Sequence, residues 1–287
     1  MQIEIELSSS CMVSCPLCPN EFIKRKNKNL SRQKLKILLA QLNELAGYYG
    51  KIKIYFCGNG EPLVNKTALF FALKYLMTQP NRAKIEIAVF TNNILISKAF
   101  LNNPALAGLD RIIINATGYT YRSYAKTYGC TWKKTLQNIQ ALHQKWPHLT
   151  INVSAVDYLE EKNLRRKNEI KEFCRKHNIS YKMVKPYNIW SGLDKTSKQN
   201  RYIKECICQS SLFVSSDGLY VLCPNDLHQE IVHGSVKDTS IKNAWKKQSS
   251  FFPTKTLPSI CKYCQLNKQA DGKNKRKNFS IKLFKRK

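Results

Sequence analysis

The feature that most constrains this chain is a repeated alternation of strand and helix signals across its first 186 residues. Ile3–Leu7 alternates apolar and polar residues as a strand does. Leu35, Leu38, Leu39, Leu42 and Leu45 then recur at helical spacing after an N-cap at Ser31, and Gly47 is the expected stop. Lys51–Phe56 reads as a strand, Asn65 as the cap of a helix through Met77, and Lys84–Phe90 as a third strand. A short helical piece at Ser97–Leu101, a strand at Arg111–Asn115, and a Thr131-capped helix bearing Trp132, Leu136, Ile139 and Leu142 follow. Leu149–Val156, a polar helix ending in Phe173, Cys174 and His177, and Ile179–Val184 complete six strand–helix units. Such alternation predicts a parallel sheet with helices outside it, and right-handed crossovers curl it into a partial (β/α)6 barrel. In parallel barrels chemistry gathers at the C-terminal ends of the strands. The notable motifs here all lie just after a predicted strand.

Beyond the barrel the pattern changes. Residues 187–200 read as an irregular polar linker. Leu212–Val214 and Tyr220–Leu222 flank an Asp217-Gly218 turn as a β-hairpin, and Asp238–Lys247 reads as a short helix. The last residues are almost entirely basic and are expected to be disordered, apart from an amphipathic end at Phe279–Phe284. The expected division is a barrel over 1–190, a small hairpin/helix domain over 201–266 and a tail over 267–287. No stretch approaches the ~20 apolar residues of a membrane helix, and the N-terminus lacks the features of a signal peptide, so the expected location is the cytoplasm.

Eleven cysteines are many for such a chain, because structural disulfides are rare in the cytosol. Metal binding or thiol chemistry is the better reading. Cys11, Cys15 and Cys18 form a C-x3-C-x2-C group in the loop after the first strand. Thiolates favour iron–sulfur clusters or zinc. Three cysteines with no fourth ligand nearby leave one iron of a cluster open. Cys206, Cys223, Cys261 and Cys264 supply four thiolates near the end, which suit a closed [4Fe–4S] cluster or a structural zinc. Cys208 competes with Cys206 for the first of these positions. Cys57 and Cys174 read as packed residues, and Cys130 as either inert or substrate-facing. The five histidines show no metal-like spacing.

With these motifs in place, the chain resembles the radical S-adenosylmethionine (SAM) superfamily, whose signature is C-x3-C-x2-C after the first strand of a partial barrel. Leu17 departs from the aromatic residue usual there. The Gly58-Asn59-Gly60-Glu61-Pro62 loop resembles the family's GGE element, which implies that Gly58 and Gly60 admit the methionyl group and that Glu61 accepts from its ammonium. Asn115, opening Asn-Ala-Thr-Gly, resembles a segment that contacts SAM. Thr91-Asn92 is similar to the family's Thr-Asn-Gly, and Tyr124 with Gly129 fits its Y-x4-G pattern. The hairpin and its cysteines resemble the SPASM and twitch domains. Position 270 is Ala and no later cysteine exists, so one auxiliary [4Fe–4S] cluster is implied.

The resemblance implies reductive cleavage of SAM to a 5′-deoxyadenosyl radical, hydrogen abstraction from a substrate, and a reductant such as flavodoxin or ferredoxin. A peptide or protein is the leading substrate class, ahead of a sugar or aminocyclitol, although no leader-binding domain precedes the first strand. The formal charge of +29 suits an acidic peptide or a nucleic acid. The excess of Lys over Arg favours solvated surface over phosphate recognition, which leaves nucleic acid the lesser candidate. A non-enzymatic cluster- or zinc-containing nucleic-acid-binding protein is the alternative of a different class.

Overall fold

The computed structural model describes residues 1–13, 15, 18, 20, 23–25, 27–156, 168–184, 203, 205–254, 256–262, 264 and 267–268. Leu17, the linker over 187–200, and residues 269–287 with Ala270 and the amphipathic end lie outside the described residues.

Six parallel strands follow in chain order: β1 (Gln2–Ile5), β2 (Ile52–Phe56), β3 (Ile85–Thr91), β4 (Arg111–Asn115), β5 (Thr150–Val156) and β6 (Ser180–Val184). They alternate with α1 (Arg32–Tyr49), α2 (Lys66–Met77), α3 (Lys98–Leu101), α4 (Tyr121–Tyr128), α5 (Trp132–Lys145) and α6 (Glu169–Lys176). The outer strand faces carry Ile3, Ile5, Ile54, Phe56, Ile87, Val89, Ile112, Ile114, Ile151 and Val153, all packed with the leucines of α1 and α2 in one core. Burying each such side chain is worth roughly 1.5–3 kcal/mol. Ser31, Ser97 and Thr131 cap their helices through side-chain oxygens, as their positions predict.

Two local expectations are corrected, and one helix is new. Gly47 does not end α1, which runs on to Tyr49 and terminates at Gly50, whose φ of 73° is the left-handed conformation glycine tolerates. Gly47 lies instead where the helix passes the Asn81 side chain. Asn65 makes no cap bond: its amide donates to the Leu7 and Leu30 carbonyls, and a short 3-10 turn over Pro62–Asn65 precedes α2. Helix α4 had no periodic apolar stripe to announce it, because its eight residues bury only Tyr124 and Tyr128.

The C-terminal cysteine region does not stand apart from this sheet. Strand β7 (Glu205–Cys206) leads into β8 (Leu212–Val214), which pairs parallel to β1 with Ile3 opposite Leu212. Strands β9 (Leu219–Val221) and β10 (Val232–Ser235) then add antiparallel, so nine strands run in the order β10-β9-β8-β1-β2-β3-β4-β5-β6. The expected second hairpin strand begins one residue earlier than the sequence suggests. Helix α7 (Ile241–Ser249), capped by Ser240, starts three residues later than expected. A last turn, α8 (Ser259–Lys262), carries Cys261, and β11 (Asn267–Lys268) pairs with β7. No helix among the described residues is long and apolar enough to cross a membrane.

Candidate iron–sulfur and SAM site

The two C-terminal-end loops that matter most follow β1 and β2. The first carries Cys11, Cys15 and Cys18, all half-buried, and the Cys18 amide closes a turn onto the Cys15 carbonyl at 2.9 Å. The three sulfurs feel one another. Burial, then the Cys18 and Cys11 charges, push the Cys15 thiol up to about 12. Burial also raises Cys11, with Glu61 and Cys18 adding to the effect. A positive centre bound to these sulfurs reverses that penalty, because a coordinating thiol is deprotonated outright. The Asn92 amide approaches Cys11 Sγ at 3.7 Å. Tyr124 and Tyr128 back the loop: their hydroxyls are pushed up by burial, and Cys15 is among the charges that act on both.

The second loop is fixed by an unusual amount of backbone recognition. The Glu61 amide donates to the Ser10 carbonyl at 2.8 Å, which joins the GNGEP turn to the residue before Cys11. Gly60 has no room for a side chain, since a Cβ there would lie 2.2 Å from the Ser8 carbonyl oxygen. Glu61 is only 3% exposed. Its Oε1 accepts from the Leu63 amide at 3.0 Å and the Thr91 hydroxyl at 2.8 Å, and its Oε2 from the Asn92 amide at 2.8 Å. Burial raises its pKa against these bonds. A carboxylate has about four acceptor positions, and bonds among the described residues take three of those of Glu61. Its first task is therefore to lock the loop to the end of β3. Thr91 and Asn92, the pair likened to the family's Thr-Asn-Gly, are the partners that do so.

Asn115 sits half-buried at the end of β4, paired with Ser154 in the ladder. It reaches the cysteine loop only indirectly: the Thr117 amide two residues on donates to the Tyr128 hydroxyl at 3.0 Å, and Tyr128 stands behind Cys15. Gly129 caps α4 with φ 67°, which gives the Y-x4-G pattern its local reason.

At the other end of the sheet, Cys223 and Cys261 are buried in a small core with Ile203, Leu222, Phe252 and Ile260, and Cys206 and Cys208 pack against it. Burial raises the Cys261 thiol, and the charges of Cys223, Cys206 and Cys264 raise it further. The four cysteines singled out in the sequence thus lie within reach of one another. Cys208 joins them through side-chain hydrogen bonds to both Cys206 and Cys223. Asp226 shapes the loop after Cys223 by accepting from the Glu230 and Ile231 amides at 2.9 and 2.8 Å.

The remaining cysteines behave as packed or lining groups. Cys174 is fully buried, and burial pushes its thiol up to about 12. Cys130 is partly buried and bonds to the Tyr124 hydroxyl at 3.9 Å. Cys57 lies on the inner barrel face, 4.0 Å from the Glu4 carboxylate.

The sequence reading missed Glu6, Arg25, Asn20 and the side chain of Asn59. Glu6 and Arg25 form a buried ion pair at 3.0 Å beneath both loops. The signal was present in β1, where Glu4 and Glu6 alternate with Ile3, Ile5 and Leu7. In a solvated sheet that alternation marks the wet face, whereas a parallel barrel encloses both faces, so a polar inner face points into the site.

Comparisons with known proteins give a family and a fold. The radical SAM superfamily model matches residues 5–172, and the iron–sulfur cluster-binding domain model (SPASM) matches residues 206–265. No curated protein sequence matches significantly. Among solved structures, BtrN in complex with AdoMet and 2-DOIA is 19% identical, with a TM-score of 0.58 and 92% of each chain covered. Native anSMEcpe with bound AdoMet and Cp18Cys peptide is 16% identical, with a TM-score of 0.67 over 93% of this chain and 92% of that one. SuiB from Streptococcus suis, bound to its precursor peptide SuiA, is 14% identical, with a TM-score of 0.65 over 92% of this chain and 69% of that one. At these identities the likeness is one of fold.

Proposed function

The chain belongs to the radical SAM superfamily, and from that premise we propose that it abstracts hydrogen from a peptide or protein substrate held over the mouth of the barrel. It is an enzyme of this class, taking a [4Fe–4S] cluster with SAM and an auxiliary iron–sulfur cluster in its C-terminal region. When bound, cluster and SAM supply a 5′-deoxyadenosyl radical through reductive cleavage.

The chain's own residues are assigned as follows. Cys11, Cys15 and Cys18 hold the SAM cluster. Gly58 and Gly60 let the backbone approach the methionyl group, which fits a loop whose glycine already lies against the Ser8–Ser10 backbone. Glu61 accepts from the ammonium on Oε2, which takes one bond from the described residues, and Asn115 contacts SAM from β4. Asn92 donates toward Cys11 and so stabilises its thiolate. Cys206, Cys223, Cys261 and Cys264 hold the auxiliary cluster, with Cys208 in contact as the competing first ligand. We divide the chain accordingly into a barrel over 1–190 and a cluster-binding region over 201–266, with a basic tail after it. Flavodoxin or ferredoxin is the proposed reductant and the cytoplasm the proposed location.

The peptide reading is supported by structural likeness and by charge, on a scaffold in which the auxiliary hairpin joins β1. Two solved structures of that fold hold peptides, and the net charge of +29 suits an acidic one. The BtrN complex motivates a second reading, dehydrogenation of a sugar or aminocyclitol. The experiment is to incubate the reconstituted enzyme with SAM, dithionite and acidic candidate precursor peptides. A SAM-dependent peptide mass change, with 5′-deoxyadenosine formed in proportion, is expected. Unchanged peptide masses alongside oxidation of an aminocyclitol would replace the first reading with the second.

A further inference from the structure

Three loops meet at one carboxylate. Glu6 is 1% exposed and Arg25 8%. Glu6 accepts from Arg25 Nε at 3.3 Å and from Nη2 at 3.0 Å on each oxygen. It also accepts from the Asn59 amide at 3.0 Å and the Ser216 amide at 2.9 Å. Arg25, from the segment after Cys18, donates onward to the Leu227 carbonyl at 3.1 Å. Asn59, in the middle of the GNGEP loop, donates its side-chain amide to the Pro224 carbonyl at 3.0 Å, and Pro224 follows Cys223 directly. Asn20, two residues after Cys18, donates to the Asn59 carbonyl at 2.6 Å and the Ser9 carbonyl at 2.8 Å. Gly58 passes so close over Glu6 that a Cβ would lie 2.7 Å from its side-chain carbons, and its φ of 156° is one that other residues rarely adopt.

A buried ion pair is a costly way to gain stability, since well-packed apolar residues often do as well. What it provides here is geometry. Glu6 is bonded at once to the cysteine-loop segment, to the SAM loop and to the turn of the auxiliary hairpin, so none of the three moves without disturbing the others. A shift of the loop after Cys223 would reach Arg25 through the Leu227 carbonyl, Glu6 through Arg25, and the SAM loop through the Asn59 amide that Glu6 accepts from.

We propose that the Glu6–Arg25 pair couples the two cofactor sites, so that occupancy of the auxiliary centre sets the affinity of the barrel site for SAM. Glu6 and Arg25 are positioning residues in this account, which rests on the SAM-loop and Cys223 assignments above. Coupling of this kind is reciprocal and is measured as a difference between binding free energies.

The test is equilibrium SAM binding to the full chain, reconstituted anaerobically, in four forms. These are wild type, Cys261→Ser/Cys264→Ser (auxiliary centre emptied), Glu6→Gln, and the combination. Emptying the auxiliary centre should weaken SAM binding at least about fivefold in the wild-type background. In the Glu6→Gln background the same change should move affinity by less than about twofold, the scatter of independent sites. Equal losses in both backgrounds would overturn the coupling. A wild type that holds both clusters and binds no SAM would overturn the loop assignment and the coupling with it. Should Glu6→Gln fail to fold, Arg25→Lys takes its place, keeping the charge while losing the two-pronged contact, and should shrink the auxiliary effect in the same direction.

Discussion

A methyl group at position 60 has nowhere to go: it would meet the Ser8 carbonyl oxygen at 2.2 Å and the Ser9 carbonyl carbon at 2.6 Å. Gly60→Ala should therefore force the SAM loop off the cysteine loop and cost about 1–3 kcal/mol. The check is a denaturant midpoint beside a SAM-binding titration, with affinity falling more steeply than stability. Glu61→Gln makes a sharper separation. The amide keeps the shape but replaces one acceptor by a donor among the Leu63, Thr91 and Asn92 donors. A buried mismatch of that kind costs about 1–3 kcal/mol. Affinity for SAM should fall while iron content stays near wild type, because none of the three cysteines is touched; iron loss equal to that of a cysteine variant would contradict the role given to Glu61.

At the scale of elements, Gln248 holds the auxiliary region together. Fully buried on α7, it donates to the Leu222 carbonyl at 2.8 Å and to the Cys208 carbonyl, and it pairs with His233 Nε2 at 2.8 Å. Gln248→Leu should strand these groups and release the auxiliary irons, lowering bound iron from about eight to about four per chain with the barrel intact. An iron count and circular dichroism together test this. The six barrel strands were legible in the sequence because apolar runs lie near helices, several of them marked by a side-chain cap, as at Ser31, Ser97 and Thr131. The cysteine groups were legible because ligand spacing is local. Long-range relations were not. Nothing near Leu212 announces that it pairs with Ile3, and nothing near Arg25 announces Glu6, since both depend on where the barrel edge lies. Strand β10 was missed because its Val-His-Gly-Ser run carries one bulky apolar residue. Helix α4 was missed because the tyrosines it buries were read for their motif rather than their face.

For the whole molecule, acidification acts on the auxiliary region before the barrel floor. Burial lowers His233 below its ordinary 6.5, against the opposing hydrogen bond from Gln248. The unfolded chain then takes up a proton near pH 6.5 that the folded chain refuses, so this contribution is complete above that value and is lost as pH falls through it. Glu86 is partly buried, which alone would raise it, but Lys53 and Arg111 outweigh that and hold it below 4.5; its contribution persists above that value and is lost at lower pH. Unfolding of wild type between about pH 5 and 7 should therefore show a slope that His233→Asn flattens, whereas an unchanged slope would assign it elsewhere. The central claim, that this chain is a radical SAM enzyme with a second cluster beside the barrel, is tested most directly by 5′-deoxyadenosine formation from SAM and dithionite. Wild type and a Cys11/Cys15/Cys18→Ala variant are reconstituted anaerobically and their iron is counted. The account predicts about eight irons and nucleoside from wild type, and about four irons with no nucleoside from the variant. Wild type that takes up zinc and forms no 5′-deoxyadenosine, or a variant that still forms it, would contradict the account.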